Sequence, residues 1–359
     1  MSPRMRYSLL TAGMILLGFI AAEPARAVSF YLSPDVPGKV AAVTPLPWLI
    51  LRNDSGSYTV AQALPQFREL DGIHRMDSGN WLLSFEAPAT IGAVTFDPRD
   101  VVKFDGVSYG VYWSGAAAGV PRNVNVDAVL LAGSDSGDLI VSFDVPVTIA
   151  GNTYEPADLV RWNAGGFSLY FDASAAIPPI PRTTNVNDAA LLGTTLILTF
   201  EAPVTLAGTT YQQGELVSWN GAAFASYYVD PAWPKGVALG GLALIAAPGE
   251  VSNTLLVDKT VLVPGNIRLR WQPSCSIGGE DYGIYQGKLG AWYSHKALDC
   301  HDDGAPLVEE VTPAAGNTYY LVVPMNPGAE GSYGAASNGV SRPIGTATCR
   351  PVQQLTPCP

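Results

Sequence analysis

Apolar and polar residues alternate along this chain in short runs that are separated by turn residues. Residues 138–143 and 195–200 are β-branched and apolar, as a buried strand requires. Residues 159–162 and 167–171 flank an Asn-Ala-Gly-Gly stretch that tolerates positive φ, which predicts a β-hairpin. No apolar pattern of helical period competes with this alternation after residue 27. The pattern predicts an all-β fold.

A repeat of about 57 residues organises the first two thirds of the chain. Three segments align without a gap over 28 positions, with Phe85, Phe143 and Phe200 at the same place in each. The other matching sets are Pro88, Pro146 and Pro203; Phe96, Tyr154 and Tyr211; Asp100, Asp158 and Glu215; Phe104, Trp162 and Trp219; and Tyr112, Tyr170 and Tyr227. An apolar stretch precedes each Phe, so each unit holds about four short strands, the content of a propeller blade.

A fourth, degenerate unit stands at residues 29–58. Phe30 lies 55 residues before Phe85, but no first strand precedes it. Residues 239–246 look like such a first strand without a Phe unit of their own. A closed ring needs its first and last elements to share a blade, and closure removes exposed sheet edges. The pattern therefore predicts a small, four-bladed β-propeller over residues 28–250, with an open β array or a sandwich as the alternatives.

The pattern changes from about residue 252. Residues 267–271 alternate and place Trp271 on an early strand, and residues 318–324 form a later strand that contains two tyrosines. This arrangement predicts a fibronectin type III-like sandwich over residues 252–348.

All four cysteines lie in the last quarter of the chain, at Cys275, Cys300, Cys349 and Cys358. An even number in an exported chain indicates disulfides, and the absence of a CxxC pair argues against zinc. Three pairings are possible. Pairing by sequence proximity joins Cys275 to Cys300 and Cys349 to Cys358, which makes residues 349–359 a disulfide-closed tail.

The N-terminus predicts export. Arg4 and Arg6 precede an apolar run over residues 8–22, and Ala25-Arg26-Ala27 offers small residues at the positions that a signal peptidase reads. We expect a signal peptide over residues 1–27, with an N-terminal membrane helix as the alternative, and a secreted or periplasmic protein without a membrane span after cleavage.

Composition narrows the class of partner. The chain has 359 residues, 37 Gly, 29 Pro and only 14% charged residues, as a turn-rich β protein should. Its net charge is -11, and removal of residues 1–27 takes away three basic residues and one acid, which leaves -13. Nucleic-acid binding through phosphate neutralisation is therefore excluded.

The tandem units resemble the repeats of exported bacterial proteins of the form LLSFD-P…DLV-F…SLYFDG, over residues 81–112, 139–171 and 196–228. Residues 269–334 likewise resemble a C-terminal module found on exported bacterial proteins. The first resemblance implies a propeller-like fold and export, the second a spacing or presenting module, and neither implies catalysis.

The repeated acids Asp100, Asp158 and Glu215 are the sharpest candidate site. In a ring they occupy equivalent places and are candidates to bind Ca²⁺ together. The alternative is that each caps its own turn. The acids that follow each Phe, namely Glu86, Asp144 and Glu201, are expected to be solvated.

Three histidines are present. His74 stands alone and is expected to be structural. Residues 295–303 combine two histidines with three aspartates, and Asp299, His301 and Asp302 are candidate metal ligands there, although an exposed polar loop is the simpler interpretation.

No hydrolase elbow, zinc-protease helix, phosphate loop or dinucleotide fingerprint is present in the sequence, so no catalytic residue is assigned. The repeated Phe104, Trp162 and Trp219 are interpreted as blade cores, with glycan stacking as the alternative. We expect a non-enzymatic binding or envelope-interaction protein with an unidentified protein or glycan ligand and no cofactor. The alternatives are a secreted polysaccharide hydrolase or lyase with acids in the funnel of the ring, and a purely structural envelope or matrix component.

Overall fold

The computed structural model describes residues 29–355 apart from residues 41–42, 55, 65–67, 133–134, 164–165, 246, 252–253, 260–262, 277–278, 280, 302–306, 327, 338 and 351. The predicted signal peptide, Asp302 and Cys358 lie outside the described residues.

The regular structure of the described chain is β-strand apart from one short helix, as the sequence predicts. The first nine strands of the repeat region are β1 (Ser29–Pro34), β2 (Leu49–Asp54), β3 (Ser57–Ala63), β4 (Leu70–Arg75), β5 (Trp81–Phe85), β6 (Ala89–Ile91), β7 (Val94–Phe96), β8 (Val101–Phe104) and β9 (Tyr109–Trp113). A short helix, α1 (Gly115–Ala118), follows. Next come β10 (Val126–Leu131), β11 (Leu139–Phe143), β12 (Val147–Ile149), β13 (Asn152–Tyr154), β14 (Leu159–Asn163) and β15 (Gly166–Phe171). They are followed by β16 (Val186–Leu192), β17 (Thr195–Phe200), β18 (Val204–Leu206), β19 (Thr209–Tyr211), β20 (Leu216–Trp219), β21 (Phe224–Tyr228) and β22 (Leu239–Leu244).

Four antiparallel, four-stranded sheets share one strand order. The first three repeat sheets are β4-β5-β8-β9, β10-β11-β14-β15 and β16-β17-β20-β21, and the fourth is β22-β1-β2-β3. In the fourth sheet, Phe30 pairs with Leu244 and Leu32 pairs with Leu242. Residues from the far end of the repeat region thus supply the first strand that the N-terminal unit lacks, as the sequence predicts.

The first strands of the four repeat sheets pack on one another in a cycle: β4 on β10, β10 on β16, β16 on β22, and β22 on β4. Four hydrophobic clusters fill the spaces between neighbouring sheets. Ile50 and Leu83 belong to one cluster, Leu82 and Val141 to the second, Ile140 and Leu198 to the third, and Leu51 and Ile197 to the fourth.

The register of the fourth sheet corrects the predicted alignment of the N-terminal unit. Phe85 pairs with Leu70 of the first strand, whereas the residue that pairs with the corresponding Leu239 is Pro34, not Phe30. The alignment on Phe30 was therefore displaced by four residues. The alignment on Phe30 is wrong because the fourth unit has Pro34 at the position where the other three units have phenylalanine.

Small additional hairpins project from the first three repeat sheets. β6 pairs with β7, β12 with β13 and β18 with β19. Each hairpin carries a pair of cross-strand threonine hydroxyls 2.8 Å apart. The sequence pattern did not separate these hairpins from the four-strand units.

The C-terminal region contains two three-stranded antiparallel sheets. Its strands are β23 (Leu256–Asp258), β24 (Ile267–Arg270), β25 (Asp281–Lys288), β26 (Ala291–Asp299), β27 (Val308–Val311) and β28 (Thr318–Met325). The sheets are β23-β24-β27 and β26-β25-β28. Trp271, Leu269 and Ile284 are buried in the core that draws on both sheets, and Trp271 follows β24 directly instead of lying on the strand.

The disulfide pairing differs from pairing by sequence proximity. Cys300 is bonded to Cys349, with an S–S distance of 2.13 Å and 49 residues of sequence separation. Cys275 is disulfide-bonded as well. Proximity in sequence fails here because Cys300 ends the β25–β26 hairpin, against which the segment around Cys349 packs through Tyr285. No helix among the described residues is long and apolar enough to cross a membrane.

Candidate functional site

Four acids occupy equivalent positions directly after the second strand of each repeat sheet. They are Asp35, Glu86, Asp144 and Glu201, which we call the acid ring. Their backbone N–H groups donate, in that order, to the carbonyl oxygens of Ala238, Glu69, Asn125 and Asn185, at 3.2–3.3 Å. The same backbone bond in all four sheets shows that the acids are structurally equivalent and that all four belong to one end of the sheet assembly.

Two further acids lie beside the acid ring on the first strands of two sheets. Asp127 is buried and Asp71 is partly buried. Asn125 links Asp71 to Glu86 by donating from Nδ2 to both carboxylates, at 3.0 Å in the case of Glu86. Asn185 repeats this arrangement one sheet further on. Its Nδ2 donates to Asp127 Oδ2 at 2.6 Å and to Glu201 Oε2 at 3.4 Å.

These carboxylates destabilise one another's charged forms. Burial raises the pKa of Asp71 well above its ordinary value, and the charges of Asp127 and Glu86 raise it further. Burial is also the main cause that raises the pKa of Asp127. Burial followed by the charge of Glu86 raises the pKa of Glu69 to about 7. At the acidic end of the assembly, Glu69 is therefore a carboxyl group that is partly protonated near pH 7.

Several oxygen atoms at this end have no hydrogen-bond donor. Oδ1 of Asp35, Oδ1 of Asn125 and Oδ1 of Asn185 are buried and unpaired within the part of the chain that the structure describes. Asn125 as a whole is 7% exposed. Buried acceptors are normally satisfied, so each of these is a place where a donor or a cation would be stabilising.

Asp188 lies one residue further along the first strands and is buried completely. Its carboxylate accepts backbone N–H groups from four strands of four different sheets. The donors are Ile73 at 3.1 Å, Val129 at 3.3 Å, Ala189 at 2.7 Å and Leu242. Burial raises the pKa of Asp188, while the four backbone bonds act in the opposite direction. The carboxylate thus ties the first strands together beneath the acidic end.

Only one of the four equivalent positions has room for such a side chain. In the other sheets the position is occupied by Gly72, Ala128 and Gly241, as their pairing registers show. A Cβ on Gly72 would lie 2.1 Å from the carbonyl oxygen of Asp127. The glycines keep the first strands close enough for one carboxylate to reach all four.

The acids predicted as a shared Ca²⁺ site lie in separate turns. Asp100 accepts from the N–H groups of Asp97 and Gly115 in its own repeat, at 3.2 Å each. The two equivalent acids accept backbone N–H groups within their own repeats in the same way. Asp158 accepts from the N–H groups of Glu155 and Ala173, and Glu215 accepts from the N–H group of Gln212. These bonds favour the turn-capping alternative.

No group of three or more His, Cys, Asp or Glu among the described residues is arranged to hold a metal ion. His301 Nδ1 lies 2.9 Å from Asp281 Oδ2, and its backbone N–H donates to Asp299. Asp302, the third candidate ligand, lies outside the described residues.

The other histidines are structural. The interpretation of residues 295–303 as one exposed polar loop was wrong for His295, which lies in β26 with no exposed surface and contacts Tyr319 and the carbonyl oxygen of Pro343. His74 lies in β4, and burial lowers its pKa to about 4.

The repeated aromatics pack within their own hairpins. Trp162 lies 4.8 Å from Phe167 between ring centroids, and the same arrangement joins Phe104 to Tyr109 and Trp219 to Phe224 at 4.4 and 4.5 Å. Phe104 is buried, and the two tryptophans pack against the hydrophobic clusters. This packing favours their interpretation as blade cores.

Sequence reasoning named three members of the acid ring and expected them to be solvated. Glu86 and Glu201 are exposed, whereas Asp144 is half-buried. The same reasoning missed Asp35, Asp71 and Asp127. An alignment of the N-terminal unit on Pro34 would have placed Asp35 at the fourth acid position. Asp71 and Asp127 gave a weaker signal, because the third unit has Asn187 and the fourth Gly240 at the equivalent position.

No protein-family model and no curated protein matches the chain. Among solved structures, it is similar to the extracellular domain of a putative one-component system of B. thetaiotaomicron (9% identity, 68% of this chain and 39% of that chain, TM-score 0.26). It is also similar to a protein of unknown function from Bacteroides caccae (8% identity, 68% and 82%, TM-score 0.25). A third neighbour is the FN1–FN3 domains of chicken CNTN1 (11% identity, 89% and 95%, TM-score 0.22). TM-scores of this size do not establish a shared fold, and nothing about the function of this chain follows from them.

Proposed function

We propose that this chain is an exported, non-enzymatic binding protein whose repeat region forms a closed four-bladed β-propeller over residues 28–250. A fibronectin type III-like domain over residues 252–348 and a tail over residues 349–359 follow it. The pairing of β22 with β1 and the cyclic packing of β4, β10, β16 and β22 support ring closure. The disulfide between Cys300 and Cys349 is consistent with a secreted or periplasmic location.

The binding surface is the acid ring, and its ligand is cationic. The observation that carries this proposal is the set of buried, unpaired oxygens of Asp35, Asn125 and Asn185 among carboxylates whose pKa values are raised by burial and further by neighbouring carboxylates. Carboxylates that approach one another repel, and an added positive charge relieves both the repulsion and the missing donors.

An amine or a basic side chain suits this surface better than one metal ion. A single Ca²⁺ needs six to eight oxygens at 2.3–2.6 Å, and no such group is formed by the acids of the described residues. The acids are instead distributed over four sheets. Several spaced positive charges, as in a polyamine or a basic peptide, match that distribution.

Isothermal titration with hexalysine, spermine and CaCl₂ tests the proposal. We expect hexalysine and spermine to bind at low ionic strength and to weaken as salt is added, because exposed charges are screened. Glu86→Gln with Glu201→Gln should weaken binding by at least tenfold. The matched control is Asp138→Asn with Glu155→Gln, which removes two acids that lie in weak surface ion pairs with Arg161 and Arg182.

Equal weakening by the control pair would show that only net charge matters, and would overturn the acid ring as the binding surface. The absence of hexalysine and spermine binding to the unmodified chain would overturn the cationic ligand and leave a purely structural envelope or matrix component.

Polysaccharide cleavage is the second candidate, and one observation favours it. Burial and, after it, the charge of Glu86 raise the pKa of Glu69 to about 7, as a general acid requires, and Glu86 is a second carboxylate close to it. Assays for new reducing ends and for unsaturated products on neutral and uronate polysaccharides test this. Turnover abolished by Glu69→Gln would replace the binding function.

A further inference from the structure

One edge of β28 is uncovered over most of its length. β28 is an outer strand of the sheet β26-β25-β28, and all eight of its residues pair with β25 without a register shift. On its other side the chain returns only along the end of the strand, where Gly331 donates its N–H to the carbonyl oxygen of Pro324 at 2.7 Å. The next residue, Ser332, turns away and donates to the carbonyl oxygen of Gly249. Among the described strands, none pairs with the rest of this edge.

Backbone polar groups point outward from the uncovered edge. Along an antiparallel strand, successive residues direct their N–H and C=O groups to one side and then to the other. Because the carbonyl oxygen of Pro324 faces Gly331, the groups of Val322 and Tyr320 face the same side, away from β25. No described residue is hydrogen-bonded to them there. Val322 is only 7% exposed, and buried backbone groups are normally paired, so this edge is suited to one more strand.

A cavity lies along the same edge. Its volume is about 740 Å³, within the roughly 300–1,000 Å³ of ligand-binding pockets. Leu321 and Val322 of β28 line it, together with Val251, Leu255 and residues 332–337. Successive strand residues point to opposite faces of a sheet, so a cavity that touches both Leu321 and Val322 spans the edge of β28. It therefore lies where an additional strand would pair.

An arginine without an acidic partner lines this cavity. The N–H of Arg342 donates to the carbonyl oxygen of Gly334 at 2.9 Å, and its Nη1 donates to that of Tyr333 at 3.1 Å. Within the described part of the chain, no carboxylate forms an ion pair with Arg342. Glu250 lines the cavity too, but it already interacts with another group of the chain. The cavity is thus complementary to an occupant with one carboxylate, which a guanidinium binds through paired hydrogen bonds.

We propose that the open edge of β28 binds the C-terminal segment of another polypeptide as an added β-strand, with the terminal carboxylate on Arg342. Main-chain hydrogen bonds to Val322 and Tyr320 provide the affinity, as in other cases of strand addition to a sheet edge. The site is independent of the acid ring.

The closed end of the edge favours a chain terminus. Gly331 occupies the edge at Pro324, so an added strand has to end before it, and Arg342 is bonded to residues 333–334, directly beyond this point. The occupant is an extended segment and not the edge of a second folded copy. Val251, Leu255 and residues 332–337 flank the edge of β28 and would keep two such edges apart.

Isothermal titration of the full mature chain with acetyl-Val-Thr-Val-Thr-Val-Thr-Val tests the proposal. We expect this peptide to bind with its free carboxylate, and its C-terminal amide to bind at least tenfold more weakly. Two further peptides carry N-methyl groups either on the three threonines or on the last three valines. Only one of these sets of N–H groups faces β28 in an added strand, so their affinities should differ by at least tenfold.

Two substitutions locate the site. Arg342→Gln should weaken binding of the carboxylate peptide by at least tenfold and leave binding of the amide within twofold. Val322→Pro removes an outward N–H without removing a bond to β25, as Pro324 does in the same strand, and should weaken both peptides by at least tenfold. Arg122→Gln is the matched control, because Arg122 is an exposed arginine of the repeat region, and it should change neither affinity by more than twofold.

Far-ultraviolet circular dichroism verifies that each variant is folded, and Tyr320→Pro, at the same phase of the strand, replaces Val322→Pro should the latter fail to fold. Failure of the unmodified chain to bind the carboxylate peptide, equal affinity for the amide, or equal affinities of the two N-methylated peptides would each overturn the proposal. Arg342→Gln should leave hexalysine binding unchanged, so a failure of this site and a failure of the acid ring are distinguishable.

Discussion

The repeat region and the C-terminal region each contain a buried carboxylate on which distant segments converge, and the two carboxylates differ in their partners. Asp188 accepts four backbone N–H groups from four sheets, including that of Leu242 in the last strand of the repeat region. Glu330 accepts the phenolic hydroxyls of Tyr285 and Tyr333 together with the backbone N–H of Arg350, at 2.8 Å in the last case.

The difference shows two ways of fixing the last segment of a β-region. In the repeat region, the register of the first strands alone brings four backbone N–H groups to the carboxylate of Asp188. The three positions equivalent to Asp188 in the other sheets are occupied by the small residues Gly72, Ala128 and Gly241. The C-terminal region has no repeat to supply such symmetry. It holds residues 349–350 with two tyrosines, a glutamate and the disulfide at Cys349.

The largest expected effect comes from Asp188→Asn. An amide offers one acceptor oxygen and places an NH₂ group against N–H donors, so buried donors lose their partner. We expect the free energy of unfolding of the repeat region to fall by about 3–5 kcal/mol. Urea unfolding with hydrogen exchange resolved by region measures it, and exchange of the β22 and β1 amides should increase most.

Asp138→Asn is the control for this substitution, because Asp138 lies in a partly exposed ion pair 3.7 Å from Arg161. It should change the free energy by less than about 0.5 kcal/mol. A loss below about 1 kcal/mol for Asp188→Asn would show that hydrophobic packing between sheets, and not the buried carboxylate, fixes the first strands.

The second largest effect is expected from Cys300→Ser with Cys349→Ser. The bond spans 49 residues, and a loop of that length corresponds to about 4 kcal/mol of restricted unfolded-chain entropy, with measured values commonly 2–4 kcal/mol. The loss should be confined to the C-terminal region. Hydrogen exchange of β1, β4, β10 and β16 should stay unchanged. Equal destabilisation of both regions would contradict their separate means of closure.

The sequence sufficed for the strands, the repeat and the pairing of residues 239–244 with the N-terminal unit, because period-2 apolar patterns act locally and recur. Prediction from the sequence failed at positions where one unit has a residue that the other units do not share. Pro34 hid the register of the fourth sheet and therefore Asp35. Asp188 has no counterpart in the other units, so no repeat pattern reveals it. The bond between Cys300 and Cys349 depends on tertiary packing and cannot be derived from spacing.

The acidic end of the repeat region should make the stability of that region depend on pH. This effect should be smaller than those of Asp188→Asn and of the two cysteine substitutions. The pKa of Glu69 is raised to about 7 from 4.5, so protonation favours the folded state, and the associated stability is lost as the pH rises through 7. We expect the free energy of unfolding to increase as the pH falls from 8 to 6.5, by about 1 kcal/mol or less because the group is half-buried and screened.

Below pH 6.5 His74 acts in the opposite direction. Its pKa is lowered to about 4 from 6.5, so its contribution to stability is lost as the pH falls between those values. The stability curve of the repeat region should therefore flatten below pH 6.5. Glu69→Gln should diminish the rise between pH 8 and 6.5, and an undiminished rise in that variant would assign it to other groups.

The smallest effect is expected in the hairpins that project from the repeat sheets. Thr148 and Thr153 share a hydroxyl hydrogen bond of 2.8 Å at the exposed surface of β12–β13. Cross-strand pairs of this kind contribute about 0.2–1 kcal/mol, so Thr148→Ala with Thr153→Ala should cost less than about 1 kcal/mol in urea unfolding. The hairpin lies outside the cycle of first strands, and exchange of the amides around Asp188 should not change. A cost comparable to that of Asp188→Asn would mean that the periphery of each sheet, and not the convergence of first strands on one carboxylate, determines the stability of the repeat region.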